Sequence, residues 1–346
     1  MRALIKPAPG TGMVLADVPV PPCGPNDVLI RVHHAGVCGT DLHIWEWDSW
    51  ASNRLKPPVV IGHEFAGRVE RLGPEAEADG LIRVGDLVTA EGHIVCGHCL
   101  PCRSGISHVC TRTRIIGVDR DGAFADYIAM PASNVMKLDG IPTEIGAIMD
   151  PIGNAVHTVL EADIPGSAVL VLGCGPIGCF AIGVARAAGA SLVIASDFNP
   201  RRLQIARAMG AHVILNPGEE DVVGRIRELT GGDGVDVVCE MSGHPDGHQQ
   251  AFAAVRLGGR VNLLGTPSRT TEVNFARDVI FKGITLYGVT GRKMYQTWNQ
   301  MFRFLRAGQL DPRPVITHRF PLERIADAIQ VIKDGQAGKV ILEIGA

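Results

Sequence analysis

The chain has 346 residues, of which 46% are hydrophobic and 20% are charged, and its formal net charge is −3. This length and apolar content predict about two globular domains, each with a buried core. A net charge so close to zero gives no indication of a nucleic-acid partner.

The N-terminal part predicts a β-rich domain over residues 1–149. Its first segment, MRALIKPAPG, is broken by prolines before an apolar stretch forms, so no secretory signal is expected and the interpretation is a cytoplasmic enzyme with reduced thiols. Short apolar runs such as DVLIRVHHAGV and DLVTAE follow, separated by proline and glycine clusters. No regular alternation with helices is visible here.

Four cysteines lie close together in the run CGHCLPCRSGISHVC, namely Cys96, Cys99, Cys102 and Cys110. Their spacing allows one loop to place four thiolates around a single tetrahedral zinc ion. The alternative is a pair of disulfides, which is typical of small secreted domains with little core. Because this chain has ample apolar content, a closed structural zinc site is predicted.

A second set of zinc-type ligands consists of Cys38 and the pair His63 and Glu64 in the segment GHE. A catalytic zinc has about three protein ligands and keeps one position open for substrate. Cys38, His63 and Glu64 are the predicted ligands. Asp150 is either an alternative ligand or a nearby carboxylate that interacts with a ligand.

The segment from Ile164 to Ala185 carries no charged residue and by length alone could span a membrane. Its glycines and prolines favour another reading, an apolar strand AVLVLG, a glycine turn and the start of a helix. Buried parallel strands and their helices have this composition in α/β domains. No membrane segment is therefore predicted.

The glycine turn reads GCGPIG and contains Gly173, Gly175, Ile177 and Gly178. A G-x-G-x-x-G turn between a strand and a helix is typical of dinucleotide-binding domains. The next strand, SLVIASD, ends at Asp197, where a carboxylate can bind ribose hydroxyls and repel a 2′-phosphate. NAD is therefore favoured over NADP, although Arg202 is close enough to contact adenine or a phosphate.

Strand and helix patterns then alternate, which predicts a doubly wound parallel sheet of Rossmann type over residues 150–290. Ligands bind at the carboxyl ends of such strands. The cofactor contacts predicted at two of these ends are Leu264, Gly265, Thr266, Val289 and Thr290. Two amphipathic helices and the strand KVILEI follow, and residues 291–346 are expected to return to the first domain.

Several of these segments, GHEFAGRVERLG, the four-cysteine run, GCGPIG and the final GKVIL, together resemble the zinc-containing medium-chain alcohol dehydrogenases. The resemblance covers nearly the whole chain. It implies an α/β protein with a GroES-like catalytic domain and a Rossmann domain. It also implies NAD as the cofactor, two zinc ions per chain, one structural and one catalytic, and a homotetramer.

Within that family, CGTDLHIWEWDSW and GRKMYQTW are similar to the members that oxidise L-threonine. The resemblance implies NAD-dependent oxidation of this small molecule to 2-amino-3-oxobutanoate. It assigns Thr40 and His43 to a proton relay and gives Asp150 a catalytic role. It also places His93 against the substrate. Asn154, which is close to Asp150 in the sequence, is expected to shape the same pocket.

Two other functions are compatible with the sequence. A zinc-dependent polyol or vicinal-diol dehydrogenase would use the same metal and cofactor on an uncharged substrate. A catalytically silent NAD-binding structural protein is disfavoured because the complete set of predicted metal and relay residues is present.

Overall fold

The computed structural model describes residues 1–267 and 269–345, which form two compact units. The first unit contains Met1–Asp150 and the chain from Ile316 onward, and the second contains Pro151–Val315. The second unit is therefore an insertion within the first.

The secondary structure alternates between short strands in the first unit and strand–helix pairs in the second. The strands are β1 (Arg2–Lys6), β2 (Val14–Asp17), β3 (Asp27–Val37), β4 (Val59–Val60), β5 (Glu64–Leu72), β6 (Leu87–Ala90), β7 (His93–Ile94), β8 (Arg114–Ile115), β9 (Tyr127–Pro131), β10 (Val135–Lys137), β11 (Ala168–Leu172), β12 (Leu192–Ser196), β13 (Val213–Leu215), β14 (Val235–Glu240), β15 (Val255–Leu263), β16 (Thr285–Gly288), β17 (Ile316–Pro321) and β18 (Lys339–Glu343). The α-helices are α1 (Gly39–Glu46), α2 (Ser49–Arg54), α3 (Pro74–Ala78), α4 (Leu100–Arg103), α5 (Thr143–Gly146), α6 (Met149–Leu160), α7 (Pro176–Ala187), α8 (Pro200–Ala208), α9 (Val222–Leu229), α10 (Pro245–Ala254), α11 (Gln296–Arg306) and α12 (Ile325–Lys333).

The first unit is β-rich, as predicted. A seven-stranded sheet has the order β10-β6-β5-β3-β18-β17, with β9 also paired to β3. Val28, Ile30 and Val32 of β3 are completely buried at alternate positions, because side chains at a period of two share one face of a strand. Val340 and Leu342 of β18 join the same core, so the last strand of the chain helps to hold the first unit together.

The second unit contains a six-stranded parallel sheet with the order β13-β12-β11-β14-β15-β16. Val169 to Leu172 in β11 are all buried, as expected for a parallel strand covered on both faces. The strand order reverses between β11 and β14, which is the position where doubly wound sheets bind their ligands. The predicted Rossmann fold is thus confirmed.

Residues 291–315 pack within the second unit, although the sequence predicts their return to the first domain. The reason is the apolar face of α11, which buries Trp298, Met301 and Phe302. The segment after this helix also packs on α7, where a Cβ atom at Gly183 would lie 2.6 Å from the side chain of Leu310. The chain re-enters the first unit only at β17.

In the described part of the chain, no helix has the length and apolar character needed to cross a membrane.

The packing of α11 predicts that Trp298→Ala lowers the free energy of unfolding by about 3–5 kcal/mol, because it removes a large side chain that is 1% exposed. Asn299→Ala, at an exposed position of the same helix, is the matched control and is expected to change it by less than about 0.5 kcal/mol. Denaturant unfolding of both variants tests this. Equal stability of the two would contradict the assignment of α11 to a packed core.

Candidate metal centres and cofactor pocket

The four cysteines of the 96–110 run converge around one point in the first unit. The sulfur atoms of Cys99 and Cys102 are 3.4 Å apart, those of Cys99 and Cys110 are 3.7 Å apart, and those of Cys96 and Cys110 are 3.6 Å apart. Four sulfurs bound tetrahedrally at about 2.3 Å from zinc are separated by about 3.8 Å. The spacing therefore fits a zinc ion and is much longer than a disulfide bond of about 2.05 Å.

Backbone amides favour the thiolate form of two of these cysteines, Cys99 and Cys110. The pKa of Cys99 is lowered to about 6, chiefly because the backbone N–H groups of Cys102 and Thr111 donate to its sulfur. The N–H groups of Cys96 and Arg112 donate in the same way to the sulfur of Cys110. Since zinc ligands must be deprotonated, the cluster fits a closed, structural zinc site.

A second group of potential ligands lies in the first unit, where α1 and β5 begin. Cys38 is the N-cap residue of α1, His63 precedes β5 and Glu64 is its first residue. Their ligand atoms all lie within 4.8 Å of one another. The structure thus brings together the three residues predicted to hold a catalytic metal.

Negative charge surrounds this second group. Burial acts to lower the pKa of His63, but the Cys38 sulfur and the carboxylates of Asp41 and Asp150 outweigh it and raise that pKa to about 10. Burial raises the pKa of Asp41 to about 6. The Nδ1 atom of His63 and the Oδ1 atom of Asp41 lie 4.0 Å apart, both buried without a hydrogen-bond partner. A cation bound here would offset this charge, and thiolate, imidazole and carboxylate together suit zinc.

Glu64 also has a buried cation beside it. The Nζ atom of Lys339, on β18, lies 2.7 Å from Oε1 of Glu64 and 2.6 Å from Oε2. Burial acts to lower the pKa of Lys339, but the neighbouring Glu64 carboxylate outweighs it and raises that pKa. Glu64 can bind a metal only while sharing its carboxylate with this lysine. Asp150, which is also buried, stays the alternative for the same position.

The two residues predicted to relay protons lie on α1. The Thr40 hydroxyl is 3.9 Å from the sulfur of Cys38. The Nδ1 atom of His43 is 2.6 Å from a carboxylate oxygen of Asp48, and the ring is 56% exposed. Because an ionised carboxylate only accepts hydrogen bonds, Nδ1 carries the proton and Nε2 is left as an acceptor.

His93, predicted to contact the substrate, is held in place by the fully buried Glu91. One carboxylate oxygen of Glu91 accepts hydrogen bonds from the backbone N–H of His93, at 2.9 Å, and lies 3.0 Å from its Nδ1. The side-chain amide of Asn134 donates to the carbonyl oxygens of both residues. The role of His93 stays a prediction, but its orientation is fixed.

In the second unit, a cavity of about 430 Å³ lies where the strand order of the parallel sheet reverses. Its walls come from the chain just after β11, β12 and β14. The lining residues include Gly173, Gly175, Asp197, Arg202, Ser242 and His244. This is the position of a dinucleotide in doubly wound folds.

The glycines of the turn differ in what surrounds them. A Cβ atom at Gly178 would lie only 1.9 Å from the carbonyl oxygen of Gly173, so this glycine allows α7 to pack against the turn. At Gly175, the N-cap of α7, a Cβ atom would meet nothing within 4 Å. The open space at this helix N-terminus suits a pyrophosphate, since backbone N–H groups and the helix dipole favour an anion.

Asp197 joins the two loops of the pocket. Its carboxylate accepts hydrogen bonds from the backbone N–H groups of Cys174, at 2.7 Å, and Asn199, at 2.8 Å. Arg202 lies 3.9 Å from the same carboxylate. An acidic side chain at this place fits the ribose hydroxyls of NAD and repels the 2′-phosphate of NADP.

The remaining predicted cofactor residues lie around the same sheet edge. Ile177 is in the first turn of α7. The other predicted residues directly follow two strands: Leu264, Gly265 and Thr266 follow β15, and Val289 and Thr290 follow β16. Backbone N–H groups of Leu264 and Gly265 donate to the carbonyl oxygen of Glu240, and that of Val289 donates to Leu263. Direct contacts of Ile177, Leu264, Gly265, Thr266, Val289 and Thr290 with a cofactor stay predictions.

Asn154, predicted to contact the substrate, lies in the second unit on α6. Its side-chain oxygen accepts a hydrogen bond of 3.4 Å from Arg292, whose side chain is 1% exposed. His157, one turn further along the helix, hydrogen-bonds through Nδ1 to the carbonyl oxygen of Gly291 at 2.8 Å. These contacts tie α6 to the 291–293 segment. A role for Asn154 at the substrate stays a prediction.

Four ionisable residues that contact the predicted metal, relay and substrate residues were not predicted, and three of them carry a local sequence signal. Asp41 lies three residues after Cys38, Asp48 five after His43 and Glu91 two before His93. An acidic residue so close to a predicted metal or relay residue could have been selected. Lys339 lies 275 positions from Glu64, and only the pairing of β3 with β18 brings the two together.

Comparisons with known proteins agree with this geometry. The family model of the alcohol dehydrogenase GroES-like domain matches residues 24–140, and that of zinc-binding dehydrogenases matches residues 176–307. The chain is 49% identical to an L-threonine 3-dehydrogenase of Symbiobacterium thermophilum, covering 99% of this chain and 97% of the relative. It is 47% identical to the L-threonine 3-dehydrogenase of Bacillus subtilis, covering 99% and 98%.

Among solved structures, 2R,3R-butanediol dehydrogenase from Bacillus subtilis superimposes with a TM-score of 0.89 at 27% identity, covering 99% of each chain. The chain therefore belongs to the zinc-containing medium-chain alcohol dehydrogenase family.

Proposed function

We propose that this protein is an NAD-dependent L-threonine 3-dehydrogenase. It oxidises the secondary alcohol at the β-carbon of L-threonine to the ketone of 2-amino-3-oxobutanoate. Two electrons and one proton leave as a hydride that reduces NAD to NADH, and the hydroxyl proton is released. The observation that carries the proposal is the similarity to L-threonine 3-dehydrogenases over nearly the whole chain.

Cys38, His63 and Glu64 are the proposed ligands of the catalytic zinc, which when bound acts as a Lewis acid on the substrate oxygen. The protein's part is to hold these ligands in place. Asp41 accepts a hydrogen bond from the backbone N–H of Cys38 and thereby fixes the start of α1. Lys339 balances the charge of Glu64.

Thr40 and His43 are proposed to carry away the hydroxyl proton. Thr40 lies beside Cys38, and a hydroxyl can accept one proton while donating another. Asp48 holds the protonated Nδ1 of His43, so the free Nε2 can accept the proton. Because the His43 ring is largely exposed, it can then release that proton to water.

NAD is proposed to bind in the pocket of the second unit, where it accepts the hydride. Gly175 and the N-terminus of α7 would face its pyrophosphate, and Asp197 its adenosine ribose. His93 and Asn154 are proposed to contact the substrate. The first unit is proposed to be the catalytic domain, which carries the zinc ligands and the relay residues. The second unit is proposed to be the cofactor-binding domain.

A homotetramer in the cytoplasm is also proposed. The four-cysteine cluster and the single thiol of Cys38 can bind zinc only while they are reduced, which favours a reducing compartment. Exposed apolar side chains, including Ile280 and Phe281, lie just before β16, an edge strand of the parallel sheet. Such a surface is suited to contact with another subunit.

A vicinal-diol or polyol dehydrogenase is the second candidate, because the fold is shared with 2R,3R-butanediol dehydrogenase. The lower identity to that enzyme, 27% against 49%, favours L-threonine.

The rate of NADH formation should be clearly higher with L-threonine than with 2,3-butanediol or sorbitol. Chelation of zinc should abolish it, and added zinc should restore it. Initial rates at equal substrate concentrations, followed by NADH absorbance, test this. Faster turnover of the diol or polyol would overturn the proposed substrate, and activity that survives complete zinc removal would overturn the proposed chemistry.

Two cysteine variants should distinguish the catalytic zinc site from the structural zinc site. Cys38→Ser should lose one zinc per chain and at least about 10³-fold in kcat, with little change in thermal stability, because it affects only the open site. Cys99→Ser should also lose one zinc but lower the unfolding temperature, because a structural zinc contributes to folding. Elemental analysis and calorimetry measure both. Loss of stability in Cys38→Ser alone would reverse the assignment.

Replacement of the relay histidine should slow the reaction without affecting metal content. For His43→Ala we expect kcat to fall by about 10²-fold, the lower range for loss of a general acid or base. Asp48→Ala should reduce kcat less, because it frees the ring without removing it. His318→Ala, at a half-buried position of the same unit, is the control. A kcat for His43→Ala equal to that of the control would remove His43 from the mechanism.

A further inference from the structure

Glu240 is the last residue of β14 and is completely buried. Its Oε1 atom accepts hydrogen bonds from the backbone N–H of Ser242, at 2.9 Å, and from the Ser242 hydroxyl. Both carboxylate oxygens lie 3.2 Å from the backbone N–H of Gly243. The carboxylate therefore binds two residues, Ser242 and Gly243, of the 241–243 loop.

The main chain of the same residue holds a second loop. The carbonyl oxygen of Glu240 accepts hydrogen bonds from the backbone N–H groups of Leu264, at 3.0 Å, and Gly265, at 3.1 Å. One residue thus connects the chain after β14 with the chain after β15. Both segments emerge at the edge of the sheet that carries the cofactor pocket.

The contacts around these loops leave almost no space. A Cβ atom at Gly265 would lie 2.1 Å from the backbone nitrogen of Gly243 and 2.6 Å from Oε2 of Glu240. A Cβ atom at Gly173, in the glycine turn, would lie 2.8 Å from the Cα atom of Ser242. Met241 and Ser242 themselves line the pocket. A small displacement of the 241–243 loop would therefore change the shape of the pocket.

The ring of His248 lies beside this carboxylate, with its Nε2 atom 3.6 Å from Oε2 of Glu240. No lysine or arginine of the described chain forms an ion pair with Glu240. The carboxylate is instead satisfied by N–H and O–H donors of one short loop. Burying a carboxylate costs free energy unless its oxygens accept hydrogen bonds. The buried Glu240 carboxylate and the loop that donates to it therefore depend on each other for their position.

We propose that Glu240 is a positioning residue for NAD. It holds the 241–243 loop in the shape that receives the dinucleotide, without touching the reacting atoms. This proposal rests on NAD as the cofactor and is independent of which alcohol is oxidised, so the two can fail separately.

The test is Glu240→Gln in the zinc-loaded protein. The glutamine amide keeps the shape of the carboxylate but replaces one acceptor oxygen with an NH2 donor, which cannot pair with the N–H groups of the loop. We expect the Kd for NAD, measured by isothermal titration calorimetry, to rise by about tenfold, in line with the loss of a charge-assisted hydrogen bond. The KM for NAD should rise in parallel. The kcat at saturating NAD and the KM for the alcohol should stay within about twofold.

Asp236→Asn is the matched control on the same strand. Asp236 accepts hydrogen bonds from the backbone N–H of Ala168, at 2.7 Å, and from Arg256, at 2.6 Å, and it lies near the opposite end of β14. Its replacement should lower the unfolding temperature and leave the Kd for NAD unchanged. A Kd for Glu240→Gln within twofold of the unmodified protein, or an equal rise in Asp236→Asn, would overturn the proposal.

If Glu240→Gln does not fold, the Kd for NAD is measured for a second variant, Ser242→Ala. It removes one donor to the carboxylate and leaves the backbone contacts intact. A rise of about threefold in the Kd for NAD supports the proposal, and an unchanged Kd overturns it.

Discussion

The first unit depends on the balance of charge around a few buried side chains. Asp41 and Glu64 are buried carboxyl groups next to the half-buried Cys38, and the buried Lys339 pairs with Glu64. Burial of such groups costs several kcal/mol per ion unless the charge is compensated. The Cys38 sulfur and the carboxyl groups of Asp41 and Asp150 raise the pKa of His63. A zinc ion held by Cys38, His63 and Glu64 would offset negative charge at this site.

The second unit depends on close approach of main chains. At Gly173, Gly178, Gly243 and Gly265, a single added Cβ atom would lie less than 3.0 Å from backbone atoms of a neighbouring segment. Glycine is required here because the loops pack on one another more tightly than any side chain permits. Hydrogen bonds to the Glu240 carboxylate hold the 241–243 loop in place, and a hydrogen bond to Asp197 holds the glycine turn at Cys174. The pocket is formed by this packing.

Most of the fold and of the two metal clusters could be predicted from the sequence, because their signals are local. Cysteine spacing, the glycine turn and the alternation of strands and helices all lie within short windows. The unit in which α11 packs could not be predicted, because an apolar helix face does not show which surface it will cover. The same holds for Lys339, which reaches Glu64 only through strand pairing. Glu240 gave no signal because its partners are backbone groups of an ordinary loop.

The position of Lys339 near the end of the chain has a consequence for biosynthesis. A ribosome releases Cys38, His63 and Glu64 early, but the lysine that neutralises Glu64 emerges only after the whole second unit has been made. The strand that carries it also completes the core of the first unit. During translation, Lys339 can therefore pair with Glu64 only after β18 has been made and has paired with β3. A chain that ends before β18 would lack both this strand and the lysine that pairs with Glu64.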